Sequence, residues 1–342
     1  MEQDTGVLFL VNSYKATELI INFDKSSLKS TFSFSDCLVQ LNSPDSLIVK
    51  SLYSSINYKD ILSCKGNPGI TRRYPHRTGS DLSGIVVDSN SPFFKKGDQV
   101  FTCTHKLGST IQGTFSTFVL ASSSFFSRCS PTLSPRFTML LGTSGYTAGL
   151  TLLSIVNNTC IKSKKILITG GYCSTSLFLI LLLNRIGIIP TLIIRKASNR
   201  LFLDDSLFFD IIYEEDFLES SAFGLGKEIF DIAIDFVGGD LLSRVLSQVR
   251  SFGSVYSLGN LKSSRVEFSL LPFFQRSISL FGINAEQTPP YMRSSVWEYL
   301  SLLCSEIDLE VLNYTVSFSN LDLYFTNRLS GNLSTLHPFI VF

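Results

Sequence analysis

Along the first part of the chain, from Gly6 to about Ile85, short β-rich runs such as Val7–Val11 and Ser46–Lys50 alternate with polar, turn-rich stretches. This pattern predicts a mostly β domain. Turn chemistry at Gly66-Asn67-Pro68-Gly69, Ser91-Pro92 and Lys95-Lys96-Gly97-Asp98 separates further strands, and the last of these turns leads into a strand at Gln99–Thr102. After Pro135 the pattern changes. Helix-forming residues run from Arg136 through Leu153, around Gly142-Thr143-Ser144-Gly145. Lys165–Thr169 then reads as a buried strand, Leu177–Ile186 as a helix ending at Gly187, and Pro190–Ile194 as a second apolar strand. Strands at Ile229–Asp235 and Gly253–Gly259, with a helix at Asp240–Val249 between them, continue the alternation. Parallel strands need crossovers, and crossover helices cover both faces, so this α/β segment predicts a parallel sheet from about Leu140 to Phe281. A helix at Ser294–Cys304 and strands at Val311–Phe318 and Phe339–Phe342 have too little core to stand alone and are expected to rejoin the first domain.

At 342 residues the chain exceeds the size at which one core usually stops growing. The expected division is residues 1–139, 140–281 and a return at 282–342. With 44% hydrophobic and 17% charged residues the chain should fold. A net charge of +1 without a long basic block argues against a nucleic-acid partner. The apolar stretch from Leu177 to Ile194 is interrupted by Asn184, Arg185 and Pro190, which argues against a membrane span. Seven scattered cysteines without CxxC spacing read as free thiols, and an acidic start, Met1-Glu2-Gln3-Asp4, lacks the order of a secretory signal. The expected location is the cytoplasm.

By physics alone, Ile168-Thr169-Gly170-Gly171 is a weak dinucleotide signature: a strand, a turn and a helix start, short of glycines. Longer-range order adds to it. Ser54–Asp60, Gly66–Pro75, Gly79–Gly84, Phe94–Val100, Gly142–Ala148, Asp235–Gly239, Phe281–Asn284 and Pro289-Pro290 follow one another as in a known family. In these segments the chain resembles the zinc-free acryloyl-CoA reductase and quinone oxidoreductase-like branch of the medium-chain dehydrogenase/reductase superfamily. The resemblance implies a GroES-like, mostly β substrate domain and a Rossmann domain, a doubly wound parallel sheet that binds the cofactor. Zinc alcohol dehydrogenases of the superfamily carry Gly-His-Glu where this chain has Gly79-Ser80-Asp81, so a histidine ligand is absent and a catalytic zinc is not expected.

The resemblance implies hydride addition to the β-carbon of an enone or enoyl thioester, with a donor stabilising the enolate oxygen and a proton reaching the α-carbon. It places Asn57, Tyr58 and Asp60 at the chemistry. Read from the residues alone, Asn57 and Asp60 cap a turn or helix and Tyr58 packs in the core. It places Thr147, Thr169, Gly170, Gly171, Ser174, Thr175, Gly259 and Asn284 at the cofactor, with a plain helix-surface role open for Thr147. Arg195, Lys196, Ser198 and Arg200, with no carboxylate at the end of the second strand of the βαβ unit, point to NADPH unless they form a solvated basic turn. Homodimer formation through the edge strand near Phe281-Gly282-Ile283 is also implied, with a small molecule as substrate.

The loop departs from the family. Cys173, Ser174 and Ser176 stand at three glycine positions, where glycine serves a conformation closed to other residues or a close approach. A second departure is Thr104–Thr117, which replaces a glycine-rich segment ending in Gly-Gly-Tyr-Ala-Glu. Two readings stand: an NADPH-dependent reductase with an altered loop, and a divergent homologue that keeps the fold but has lost catalysis and serves as a binding or scaffold protein.

Overall fold

The computed structural model of the chain describes residues 12–41, 43–103, 106–195, 210–219, 224–330 and 336–342. The strand expected at Val7–Val11 lies outside them. The chain divides into two units, one built from residues 1–143 and 313–342, the other from 144–312.

The first unit opens with a long hairpin, β1 (Ser13–Asp24) against β2 (Lys29–Gln40), paired residue for residue from Ser13–Gln40 to Asp24–Lys29. β3 (Ser46–Ser55) runs into a short helix, α1 (Tyr58–Cys64), followed by β4 (Leu82–Ser89), β5 (Gln99–Thr102), β6 (Phe118–Ser122) and β7 (Ser127–Arg128). β5 lies where the turn chemistry placed it. Inward-facing Leu47, Val49, Leu82, Val86, Val100 and Val119 form one core, the expected outcome of period-2 alternation. α2 (Pro135–Asn158) then carries the chain across the division and breaks at Gly142, whose φ of 54° and ψ of −161° are not helical.

The second unit holds β8 (Ile166–Thr169), α3 (Ser174–Arg185), β9 (Thr191–Ile194), β10 (Asp210–Tyr213), α4 (Glu214–Glu219), β11 (Phe230–Asp235), α5 (Gly239–Gln248), β12 (Val249–Ser257), α6 (Leu271–Arg276), β13 (Ser279–Gly282), α7 (Pro290–Leu303) and α8 (Glu306–Glu310). Its six strands lie in the order β10-β9-β8-β11-β12-β13, all parallel. Counted within the unit this is 3-2-1-4-5-6, the doubly wound Rossmann order. Burial on both faces explains why β8 and β9 read as unbroken apolar runs rather than alternations. β10 is short and half-exposed, and no sequence signal had singled it out.

One expectation is corrected. The helix read at Ser294–Cys304 does not rejoin the first domain. α7 belongs to the second unit, where Trp297 lies 5.4 Å from the Tyr146 ring and Leu300 closes over Gly149. Arg185 of α3 also pairs with Asp308 of α8. The apolar face of α7 needs a partner, and the nearest one in its own unit is the second half of α2. The chain returns to the first unit only with β14 (Asn313–Ser317), α9 (Leu321–Leu329) and β15 (His337–Val341). β15 joins β14 in parallel and β3 in antiparallel, so the final strand completes the first sheet.

Candidate active site and cofactor loop

In the first unit the site residues gather where β3 ends and α1 begins. Asn57 is the N-cap of α1, and Asp60, three residues on, accepts the Asn57 N–H at 2.8 Å through Oδ2. The other Asp60 oxygen accepts from Thr78 Oγ1 and from the Gly79 N–H, each at 3.1 Å. Asp60 has no exposed surface, and burial pushes its carboxyl up to about 6 against the pull of these donors. Through these bonds Asp60 ties the start of α1 to the Thr78-Gly79 turn.

The Tyr58 side chain is 58% exposed and does not pack in the core. Asn57 is buried and donates from Nδ2 to Ser80 Oγ at 3.0 Å. Ser80 stands where the zinc enzymes carry a histidine ligand, and here it orients an amide.

Next to Ser80, Asp81 organises a second buried cluster. Its carboxylate accepts from Ser55 Oγ (2.7 Å), from the Thr143 N–H (2.6 Å) and from Thr143 Oγ1 (2.6 Å). His337 faces the same place: a Cβ on Gly142 would lie 2.9 Å from its Nε2 and 2.9 Å from Asp81 Oδ2. Burial lowers the His337 pKa to about 4 although Asp81 pulls it up, so the ring is neutral at pH 7. Among the described residues no group of three or more His, Cys, Asp or Glu side chains is placed to hold a metal ion. Asp81 and His337 were not among the expected site residues. A signal existed for Asp81: a carboxylate next to the apolar start of a strand is costly unless partnered.

In the second unit the loop after β8 carries the altered glycine motif. Gly170 keeps a left-handed φ of 66°, and Cβ atoms on Gly170 and Gly171 would sit 3.2–3.3 Å from side chains of the neighbouring strand ends. The three replaced positions need no such freedom. Cys173 is the N-cap of α3 in extended backbone (φ −84°, ψ 154°), and Ser174 and Ser176 are helical. Their side chains tie the loop. Cys173 Sγ accepts the Ser176 N–H at 3.4 Å, while Ser176 Oγ bonds the carbonyls of Gly170 (3.2 Å) and Cys173 (2.8 Å). Enclosure holds the Cys173 thiol above its ordinary pKa, which keeps it neutral. Ser174 and Thr175 are half-buried in the first turn of α3, where backbone N–H groups and the helix dipole favour an anion. The donors of the loop suit a pyrophosphate, and the backbone at 173, 174 and 176 does not itself require glycine.

The other cofactor expectations divide. Thr147 is half-buried on α2, with its carbonyl bonded by Thr151 Oγ1. Arg195 is exposed just past β9; Lys196, Ser198 and Arg200 lie outside the described residues. Thr169 has no exposed surface and its hydroxyl is engaged by Asp235. Gly259 admits the close approach of the Phe236 carbonyl, 2.8 Å from where a Cβ would stand. Asn284 is exposed, and its Oδ1 accepts the Glu286 and Gln287 N–H groups in a local turn. Thr169 and Gly259 thus both lie against Phe236, the residue that follows β11.

The chain is similar to known proteins over most of its length. Residues 43–131 match the alcohol dehydrogenase GroES-like domain. YhfP of Bacillus subtilis, which carries a quinone oxidoreductase name, is 32% identical over 260 residues, covering 75% of this chain and 78% of that protein. Its crystal structure with NAD bound matches at a TM-score of 0.84 and 26% identity, over 96% of this chain and 100% of that one. The acrylyl-CoA reductase AcuI of Ruegeria pomeroyi is 26% identical over 250 residues, 73% of this chain and 76% of AcuI. The YhdH oxidoreductase of Salmonella enterica, in complex with NADP, shares the fold at a TM-score of 0.86 and 24% identity, over 95% and 99% of the two chains.

Proposed function

Because the chain belongs to the medium-chain dehydrogenase/reductase superfamily, in the branch of the acrylyl-CoA reductases and related quinone oxidoreductases, we propose that it is an NADPH-dependent reductase acting on an activated C=C bond, as in an enoyl thioester such as acryloyl-CoA, or on a small quinone. It is an oxidoreductase by that membership; the substrate is the proposal. The observation that carries the reading is the backbone of the altered loop: Cys173, Ser174 and Ser176 occupy conformations open to any residue. The loop therefore keeps its shape without those glycines.

Gly170, Gly171 and the first turn of α3, with the Ser174 and Thr175 hydroxyls, would hold the pyrophosphate. Arg195, with Lys196, Ser198 and Arg200, would take the 2′-phosphate, and Thr147 and Asn284 would complete the surroundings. Bound NADPH supplies a hydride. The chain's own part falls to Asn57 and Tyr58. Ser80 fixes the Asn57 amide for orienting the substrate. The exposed Tyr58 phenol offers Oη–H to the substrate oxygen as it gains negative charge, the moment at which a placed donor counts most. We place the enzyme in the cytoplasm as a homodimer paired through β13, the sheet edge on which Leu280 is exposed.

NADPH titration by fluorescence or calorimetry tests the reading. Saturable binding is expected; none at millimolar NADPH would sink it and leave the binding or scaffold protein. Turnover with acryloyl-CoA against turnover with a small quinone then separates the two substrate classes. Lys196→Ala should weaken NADPH roughly tenfold more than NADH, and an equal loss for both would reject the 2′-phosphate assignment.

A further inference from the structure

β8 and β11 lie side by side where the strand order of the second unit reverses, with Ile168 opposite Ile234. Ligands of open parallel sheets bind beyond the carboxyl ends of the strands at this point. The last residues of the two strands, Thr169 and Asp235, have no exposed surface. Thr169 Oγ1 donates to Asp235 Oδ1 at 2.7 Å and accepts the Phe236 N–H at 3.1 Å. Asp235 in turn accepts the Val237 N–H at 3.3 Å through Oδ1 and the Gly238 N–H at 2.9 Å through Oδ2. One hydroxyl and one carboxylate thus fold the turn after β11 and fasten it to the residue just before Gly170.

The turn is gripped from its far side as well. The Leu261 and Lys262 N–H groups donate to the carbonyls of Phe236 and Val237 at 3.1 and 3.0 Å. Gly238 is pressed so closely on Ser263 that a Cβ would lie 2.2 Å from its carbonyl oxygen. Across the reversal, a Cβ on Gly170 would stand 3.3 Å from Phe236 Cβ and from Val237 Cγ2. The glycine loop and the turn are therefore in contact, and a shift of one displaces the other. An apolar pair of similar size would fill this place without the cost of burying a carboxylate. What the polar pair adds is directed bonds that fix one spacing.

We infer that Thr169 and Asp235 are positioning residues, a latch that sets the spacing of the two loops at the strand reversal and thereby the affinity for NADPH, without touching it. The inference rests on the NADPH reading above. It matters more in this chain than in one with a full glycine motif, because Cβ atoms at 173, 174 and 176 narrow the tolerance of the loop for misplacement.

Thr169→Val removes the donor and the acceptor at nearly constant volume, leaving Asp235 and the Phe236 N–H short of a partner. The NADPH Kd, measured by fluorescence titration on protein shown to be folded, should rise roughly ten- to a hundredfold. The KM for NADPH should rise with it while kcat at saturating NADPH stays within about threefold, and Thr169→Ser should restore Kd and KM. A purely structural role would lower Tm and the active fraction but leave Kd unchanged. Folded Thr169→Val with wild-type affinity overturns the latch, as does a loss that serine fails to rescue. If Thr169→Val does not fold, Asp235→Asn carries the test: it keeps an acceptor for Thr169 but turns an amide donor on the Gly238 N–H, so an unchanged Kd again overturns the latch. Wild-type protein that binds no NADPH fails the functional reading, and the latch with it; wild-type that binds beside indifferent variants fails the latch alone.

Discussion

The Gly142 break of the first unit and the cofactor loop of the second both stand where the family pattern carries glycine, and they show which glycines are expendable. At Gly142 the backbone adopts φ 54° and ψ −161°, and a Cβ would lie 2.3 Å from Ser55 Oγ as well as against Asp81 and His337. Conformation and space both demand glycine. In the cofactor loop only Gly170 keeps a left-handed φ; positions 173, 174 and 176 are extended or helical and carry side chains that bond the loop to itself. A glycine kept for its backbone cannot be replaced, whereas one kept for room can be if the new side chain finds partners.

The largest effect expected from this contrast is at the break. Gly142→Ala combines a glycine-only conformation with a contact far inside van der Waals distance, and should cost ~3 kcal/mol or more by chemical denaturation. A loss under about 1 kcal/mol would mean that the Ser55–Asp81–His337 cluster yields readily. The buried carboxylates of the first unit offer a pH test of intermediate size. Burial raises Asp60 from 3.8 to about 6, so between those values the folded chain binds the proton that the unfolded chain has released. Its contribution to stability therefore falls as pH rises from about 4 to about 6 and is level above. Asp60→Asn should remove that slope, and parallel stability–pH curves for the two proteins would refute the assignment. The smallest effect is in the cofactor loop. Ser176→Gly loses two hydroxyl bonds and gains helix-start flexibility, for about 1 kcal/mol of stability, with NADPH affinity within about threefold of wild type. Tightening by tenfold or more would show that the added Cβ atoms, not the loop fold, limit the cofactor.

Much of the architecture was legible in the sequence. The apolar runs at 166–169, 191–194 and 230–235 lie where periodicity put them, because strands buried on both faces admit little but apolar residues. α7 was misplaced because a short amphipathic helix shows that it has a partner but not which one. Within the site, Asn57-Tyr58 stood out through resemblance. Asp81 and Asp235 lay in segments of the same resemblance, but a carboxylate beside a strand shows only that it needs partners, not which ones.

What the sequence by itself determined was the family, the order of elements and the fact that three glycines were gone. Whether their loss mattered was decided only in three dimensions. The backbone torsions of Cys173, Ser174 and Ser176, the bond from Thr169 to Asp235 across 66 positions and that from Thr143 to Asp81 across 62 are set by strand pairing and packing. Hydrogen-bond partners so far apart along the chain carry no local signature, and a glycine's necessity depends on what surrounds it.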